Sequence, residues 1–273
     1  MANNVVAILL ATYNSELYLG DLLDSLICQS FENWIIYIRD DNSNDNTISI
    51  INSYQKKHPK ILLLHDHVTK RGATMSFLWL LHNVEADFYM FCDHDDVWLP
   101  NKIQITYDKM MPENSSLPTI VHTDLIVVDY DLSVISKSFW DYTNLRYTSS
   151  TFNELLIRNN ITGCTMMINN ATKNLTKPFS NIDFPHDAWI GLLVAFNNGS
   201  IYAIETPTIL YRQHTKNLIG AHKQIKSFYN KYLENKKRFK ILKSISKISI
   251  FKYMQIKILS RLNNFSFNQF LFL

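Results

Sequence analysis

The stretch FYMFCDHDDVWLP, residues 88–100, runs through five mostly apolar residues and then sets Asp93, Asp95 and Asp96 around His94. Carboxylates this close repel and raise one another's pKa, so such a cluster is cheap only where water or a cation shields it. A second acidic pair, Asp40 and Asp41, ends the run NWIIYIRDD, and a further acid, Asp187, sits in FPHDAWIG. A solvated turn is the plain alternative for the cluster. Oxygen ligands from one or two carboxylates, completed by substrate phosphate, are what Mg2+ or Mn2+ prefers. Asp93 and Asp95 alone would repel a diphosphate, whereas with the cation between them it is held. The expected cofactor is therefore Mn2+ or Mg2+.

Other phosphate chemistry is disfavoured. The chain has six glycines and contains no GxGxxG, no GxxxxGK[ST] and no GxSxG, which argues against dinucleotide dehydrogenases, P-loop enzymes and α/β-hydrolases. Cys28, Cys92 and Cys164 lie far apart with no CxxC pair and read as free thiols of a reducing compartment. HDH at 65–67 has metal-like spacing, but it follows a strand with no third ligand near and reads as a solvated loop.

The elements that must position these residues alternate. Short apolar runs at NVVAILL, NWIIYIRDD, KILLLH and FYMFC read as strands. Between them Leu19, Leu22, Leu23, Leu26 and Ile27 keep helical spacing, and NDNTISIINSYQKK and ATMSFLWLLHNV read as helices. NKIQITYDKMM predicts another helix, TIVHTDLIVVD a strand, and a helix is expected from about Ala188, with strands at SIYAIE and TILYRQH. This alternation predicts an α/β domain with an open, mostly parallel sheet flanked by helices. Ligands of such sheets bind beyond the carboxyl ends of the strands. That rim receives Thr12, Tyr13 and Asn14, then Asp40 and Asp41, then Arg71, then Asp93 to Asp96.

The order of these pieces resembles family 2 of the inverting nucleotide-sugar glycosyltransferases, with the GT-A fold. The matching stretches are ATYN, RDDNSNDNT, DHDDVWLPNK, ITGCTMMIN, FPHDAWIG and YRQHTKNLIGA, spanning about residues 5–221. The long DHDDVWLPNK and YRQH forms are most similar to bacterial rhamnosyltransferases and to capsule or O-antigen transferases. The resemblance implies that Asp41 hydrogen-bonds the donor's pyrimidine ring, with Ala11 and Tyr13 lining the base pocket. Ala11 stands where the family often has a hydroxyl residue. It further implies that Asp93 lies near the donor ribose and sugar, that Asp95 ligates the metal, and that Asp187 is the general base. A base is required because inverting transfer is a single displacement. Asp187 also suits a helix N-cap, where the dipole favours its ionised form, and one residue can do both. His214 resembles a histidine turned toward the metal or diphosphate. Arg212 and Arg71 read either as donor contacts or as surface ion pairs, Asp96 as a structural acid, and His94 as a spacer. Trp98 and Trp189 read as core residues and Trp140 as part of the acceptor side.

The net charge of +3 conceals an asymmetry. From residue 221 on, twelve Lys or Arg face one acid, Glu234, a net +11, while the first 220 residues carry 15 basic against 23 acidic, a net −8. The chain therefore divides into a catalytic domain, 1–221, and a basic helical C-terminal tail, 222–273. In the tail Lys236, Lys240, Lys243 and Lys247 recur at helical spacing beside Ile241, Ile245 and Ile248. Such a helix either packs on the domain or lies on an anionic membrane surface; an acidic body argues against nucleic acid. No run approaches the ~18 apolar residues of a membrane span. The expectation is a cytoplasmic enzyme, peripheral on the inner face of the membrane. It would move a sugar from dTDP-rhamnose or a UDP-hexose to a saccharide acceptor, lipid-linked and part of a growing surface polysaccharide. A sugar-phosphate nucleotidyltransferase and an inactive nucleotide-sugar-binding module are the alternatives.

Overall fold

A computed structural model describes residues 4–66, 68, 71–113, 115–145, 150–177 and 184–214. The basic tail 222–273, together with His67, lies outside them. Strand β1 (Val6–Thr12) is buried along all seven residues, as a strand covered on both faces must be. Its side chains alternate between two cores. Val6, Ile8 and Leu10 meet helix α1 (Leu19–Ile27), α2 (Thr47–Lys57) and α4 (Lys102–Met110) through Leu22, Leu26, Ile51 and Ile103. Ala7, Leu9 and Ala11 face α3 (Ala73–Asn83) and α8 (His186–Phe196) through Phe77, Leu81, Trp189 and Ile190. Each such leucine or isoleucine contributes about 1.5–3 kcal/mol when fully buried.

Beside β1 run β2 (Trp34–Asp40), β3 (Ile61–Leu63), β4 (Phe88–Cys92), β6 (Thr119–Thr123), β9 (Met167–Asn169) and β10 (Ser200–Ile204), in the order β10-β6-β9-β4-β1-β2-β3. All pairings are parallel except those of β9, which runs antiparallel between β4 and β6. The carboxyl ends of β1, β2, β4 and β6 thus share one rim. A second sheet, β5-β11-β7-β8, joins β5 (Val97–Trp98), β7 (Ile126–Val128), β8 (Val134–Ser136) and β11 (Ile209–Arg212). Short helices α5 (Phe139–Thr143), α6 (Phe152–Ile157) and α7 (Asn170–Leu175), with a 3-10 turn at Gly163–Thr165, complete the described chain. Because β5 follows Asp96 at once, the acidic loop bridges the two sheets.

Two expectations change. TIVHTDLIVVD is two strands in different sheets, not one. The break falls at Asp124, whose carboxylate accepts the N–H groups of Leu125, Phe139 and Trp140 and so turns the chain and starts α5. Helix α8 begins at His186, two residues before Ala188. No helix among the described residues is long and apolar enough to cross a membrane.

Candidate active site

At the ends of β1 and β2 the polar residues lace two loops together. Thr12 donates to Asp40 at 2.8 Å, Ser43 N–H donates to Asp40, and Asp41 N–H donates to the Thr12 carbonyl. The Asp41 carboxylate accepts from the Arg39 guanidinium at 2.8 Å, from Arg71 N–H at 2.8 Å and from Gly72 N–H at 2.9 Å. Burial raises its carboxyl, but these donors outweigh burial and hold it below the ordinary carboxylate range. Gly72 has φ +74, which glycine adopts without cost and which turns its N–H onto Asp41. Ala11 is nearly buried beside this site and Tyr13 is exposed.

Arg39, which the sequence reading passed over, organises this corner. It is 1 % exposed and binds Asp41, Asp66, Ser76 and the Val68 carbonyl. Its signal was available: a lone arginine in an apolar strand, two residues before Asp41 and therefore on the same side of it. Asp66 of HDH is accordingly no solvated loop residue. It bridges Arg39 at 3.1 Å and Arg71 Nε at 2.6 Å. Arg71 thus reaches the rim with its Nε already held.

Beyond β4 the acidic loop divides its labour. The Asp95 carboxylate meets His214 Nε2 at 3.0 Å, 119 residues apart in the chain. Asp96 is wholly buried and accepts Arg212 N–H at 3.2 Å, a structural acid as expected. Burial, then the charges of Asp95 and Asp93, push its carboxyl well up. Asp93 is likewise raised, by burial first and then by Asp95 and Asp187. His94 is more than a spacer: burial lowers its pKa, while the nearby Ala11 backbone and Asp95 raise it.

Arg212 does not reach out toward a donor. It is 3 % exposed, and its guanidinium binds the Asp95 carbonyl at 3.0 Å, the Tyr130 carbonyl at 2.7 Å and Asp21 at 2.9 Å. It holds the acidic loop against β11. A second cluster, Asp93, Asp96 and Cys164, places its polar atoms within 4.8 Å of one another. Buried Lys102 lies beneath it, lowered to about 8 by burial and pulled the other way by Cys164, Cys92 and Asp96. A cation there would meet an ammonium. The Asp95–His214 pair offers one oxygen and one nitrogen 3.0 Å apart, a donor set that divalent cations accept.

Asp187 occupies the first turn of α8, its carboxylate accepting from Ala188 N–H at 2.7 Å, with the Gly163 N–H and the Asn159 amide, whose Nδ2 donates to the Ile161 carbonyl, also lowering its pKa. These donors and the helix dipole favour its ionised form, as expected, yet burial prevails and raises it to about 6. That value lies near the ideal for a base at neutral pH. His186 wedges between Phe77 and Phe91, with ring centroids at 4.5 and 4.8 Å. A Cβ at residue 163 would stand 2.7 Å from His186 Nε2, so the ITGC loop approaches α8 only as glycine. Asn159 carried no motif signal and could not have been singled out from the sequence. Of the tryptophans, Trp98 and Trp189 are buried as expected. Trp140 is too, at 2 % exposure and edge-on to His122, so it does not line the acceptor side.

Asp41, Asp93, Asp95, Asp187 and His214 thus come from the ends of β2, β4 and β11 and the start of α8, with a carboxyl raised to about 6 acting on an acidic loop. Residues 7–175 match the model of Glycosyl transferase family 2. The dTDP-rhamnosyl transferase RfbG of Shigella flexneri is 30% identical over 235 residues, covering 81% of this chain and 77% of that protein. The UDP-Glc:alpha-D-GlcNAc-diphosphoundecaprenol beta-1,3-glucosyltransferase WfgD of Escherichia coli is 26% identical over 205 residues, covering 74% of each. Among solved structures, S. aureus TarS 1-349 in complex with UDP-GlcNAc aligns with a TM-score of 0.62 at 18% identity, over 97% of this chain and 73% of that one. At that identity the likeness speaks for the GT-A fold alone. Family, fold and rim agree, and the nucleotidyltransferase alternative falls away: the chain belongs to glycosyl transferase family 2 and is a glycosyltransferase.

Proposed function

We propose that this glycosyltransferase moves a sugar, with inversion, from a pyrimidine nucleotide sugar to a hydroxyl of a growing, lipid-linked surface polysaccharide. The observation that carries the reading is Asp187, a carboxyl raised to about 6 whose charge acts on Asp93 of the acidic loop. In the displacement the acceptor oxygen attacks the anomeric carbon, the bond from that carbon to the diphosphate breaks, and the acceptor proton passes to Asp187. The nucleoside diphosphate leaves with the bonding pair. Asp95 and His214 would hold a divalent cation, which screens the diphosphate charge. The mixed oxygen and nitrogen pair favours Mn2+ over Mg2+.

Asp41 supports a pyrimidine donor. A carboxylate has about four lone-pair sites, and the three donors from Arg39, Arg71 and Gly72 leave room for one more N–H, such as the ring N–H of uracil or thymine. Tyr13 and Ala11 line the base, Asp93 lies by the ribose and sugar, and Arg71 contributes its terminal nitrogens. Arg212 drops out of the donor-binding set. The likeness to a dTDP-rhamnosyl transferase supports dTDP-rhamnose ahead of a UDP-hexose. The +11 tail beyond residue 220 supports attachment to the inner face of the cytoplasmic membrane, at about 1 kcal/mol per Lys or Arg near an anionic leaflet.

Thermal protection of the protein by a panel of nucleotide sugars with and without Mn2+, followed by assignment of the product's anomeric configuration by NMR, tests the reading. Best protection and turnover are expected with a pyrimidine donor and an inverted product. A purine donor turning over best, or a retained configuration, would refute it. For the tail, anionic but not neutral liposomes should bind the full chain at low salt and lose a chain truncated after residue 221.

A further inference from the structure

The cation site stands on a support outside the acidic loop. Arg212 and His214 are two residues apart, and the Gln213 N–H donates to the Val128 carbonyl, so the chain stays extended past β11 and sends both side chains to one side. Both rest on the ring of Tyr18, the residue before α1. The Arg212 guanidinium carbon lies 4.5 Å from the ring centroid, and the His214 imidazole stacks at 4.9 Å with 22° between planes. Tyr18 makes no side-chain bond to cap α1, so capping does not explain it. What it touches is the machinery holding Asp95: Arg212 binds the Asp95 carbonyl, its own N–H binds Asp96, and its far nitrogen binds Asp21 in the first turn of α1.

We infer that Tyr18 is a positioning residue: its ring carries Arg212 and His214 together and so presets the Asp95–His214 pair for a divalent cation. This rests on the reading of that pair as the cation site. The physical need is plain. The last torsion of a histidine is broad and roughly two-fold; the Tyr18 face, 22° from parallel with the imidazole, restrains that plane beside the bond to Asp95. The same ring keeps the guanidinium where it grips the Asp95 backbone, so carboxylate and imidazole are set by one support. Partners of this outer kind orient metal ligands and are costly to lose.

The test is Mn2+ binding to the full chain in the presence of UDP, read from the EPR signal of free Mn2+, for the parent, Tyr18→Leu, Tyr18→Phe and Asp21→Asn. Tyr18→Leu should weaken Mn2+ about tenfold, Tyr18→Phe should stay within about twofold of the parent, and Asp21→Asn should fall between them. UDP affinity without metal should not change, and the Mn2+ concentration giving half-maximal transfer should rise with the binding constant while kcat at saturating Mn2+ recovers. Parent-like Mn2+ binding in Tyr18→Leu, or Tyr18→Phe as weak as Tyr18→Leu, overturns the support. Should Tyr18→Leu fail to fold by circular dichroism, parent-like binding in Asp21→Asn overturns it instead. A parent that holds no Mn2+ with UDP sinks the cation site and the support with it. A parent that holds Mn2+ beside an unaffected Tyr18→Leu sinks the support alone.

Discussion

Removing one polar donor beside Asp187 should move the enzyme's pH profile by a calculable amount. Burial raises this carboxyl to about 6, while Ala188 N–H, Gly163 N–H and the Asn159 amide pull it down. Asn159→Ala deletes one of those donors. A hydrogen bond to a charged group contributes about 1.5 kcal/mol at the low end, and one pKa unit is about 1.36 kcal/mol, so the carboxyl should rise by about one unit. The sign follows from its proposed role: a base acts as carboxylate, so activity is expected above the pKa and lost as pH falls through it. The acid limb of kcat/KM against pH should have its midpoint near 6 in the parent and about one unit higher in Asn159→Ala, with the same plateau at pH 9. At pH 6.5 that is about a threefold loss. Asp187→Asn should abolish the limb and cost about 10²- to 10⁴-fold in kcat, or about 3–5 kcal/mol of transition-state stabilisation. The assay is nucleoside diphosphate release at fixed saturating Mn2+ across pH 5–9. A midpoint that stays put or falls, or a loss equal at every pH, would refute the assignment of Asn159 and, with an active Asp187→Asn, that of the base itself.

Three further outcomes are expected. Asp95→Ala should lose the Mn2+-dependent part of nucleoside diphosphate binding in calorimetric titration, because the diphosphate then meets uncompensated carboxylates; unchanged affinity would place the cation elsewhere. Gly163→Ala drives a Cβ to 2.7 Å from His186 Nε2, and with Phe77 and Phe91 behind the ring the strain should cost about 1–3 kcal/mol in urea unfolding and lower kcat more than KM. Arg39→Met leaves Asp41 and Asp66 without their shared cation and should destabilise by about 3–5 kcal/mol; in the parent, the stability Asp41 contributes is present above its unfolded pKa and is lost as pH falls through its depressed folded value, so acid unfolding should be blunted in this variant.

Much of this protein was legible in its sequence. Apolar runs such as VAILLAT and FYMFC alternating with the leucine spacing of α1 demand a covered, mostly parallel sheet, because periodicity is a local property of the backbone and needs no knowledge of the fold. The rim residues followed from the same logic, since polar groups after each strand must gather at its carboxyl end. What each charged group does there was another matter. Arg212 and Arg71 were both open as donor contacts, and only packing consigned Arg212 to a buried grip on the acidic loop while leaving Arg71 at the rim. Asp187 at a helix start reads as an ionised acid from its local dipole; its raised pKa comes from the surrounding protein, a sum over neighbours distant in sequence. Asp66, Asn159 and Tyr18 act through contacts with residues 27, 28 and 196 positions away (Arg39, Asp187 and His214). Residue type and local period set the elements and the candidate acids; burial and long-range pairing, which exist only once the chain has closed, decided which acid is ion-paired, which is buried and whose pKa is raised.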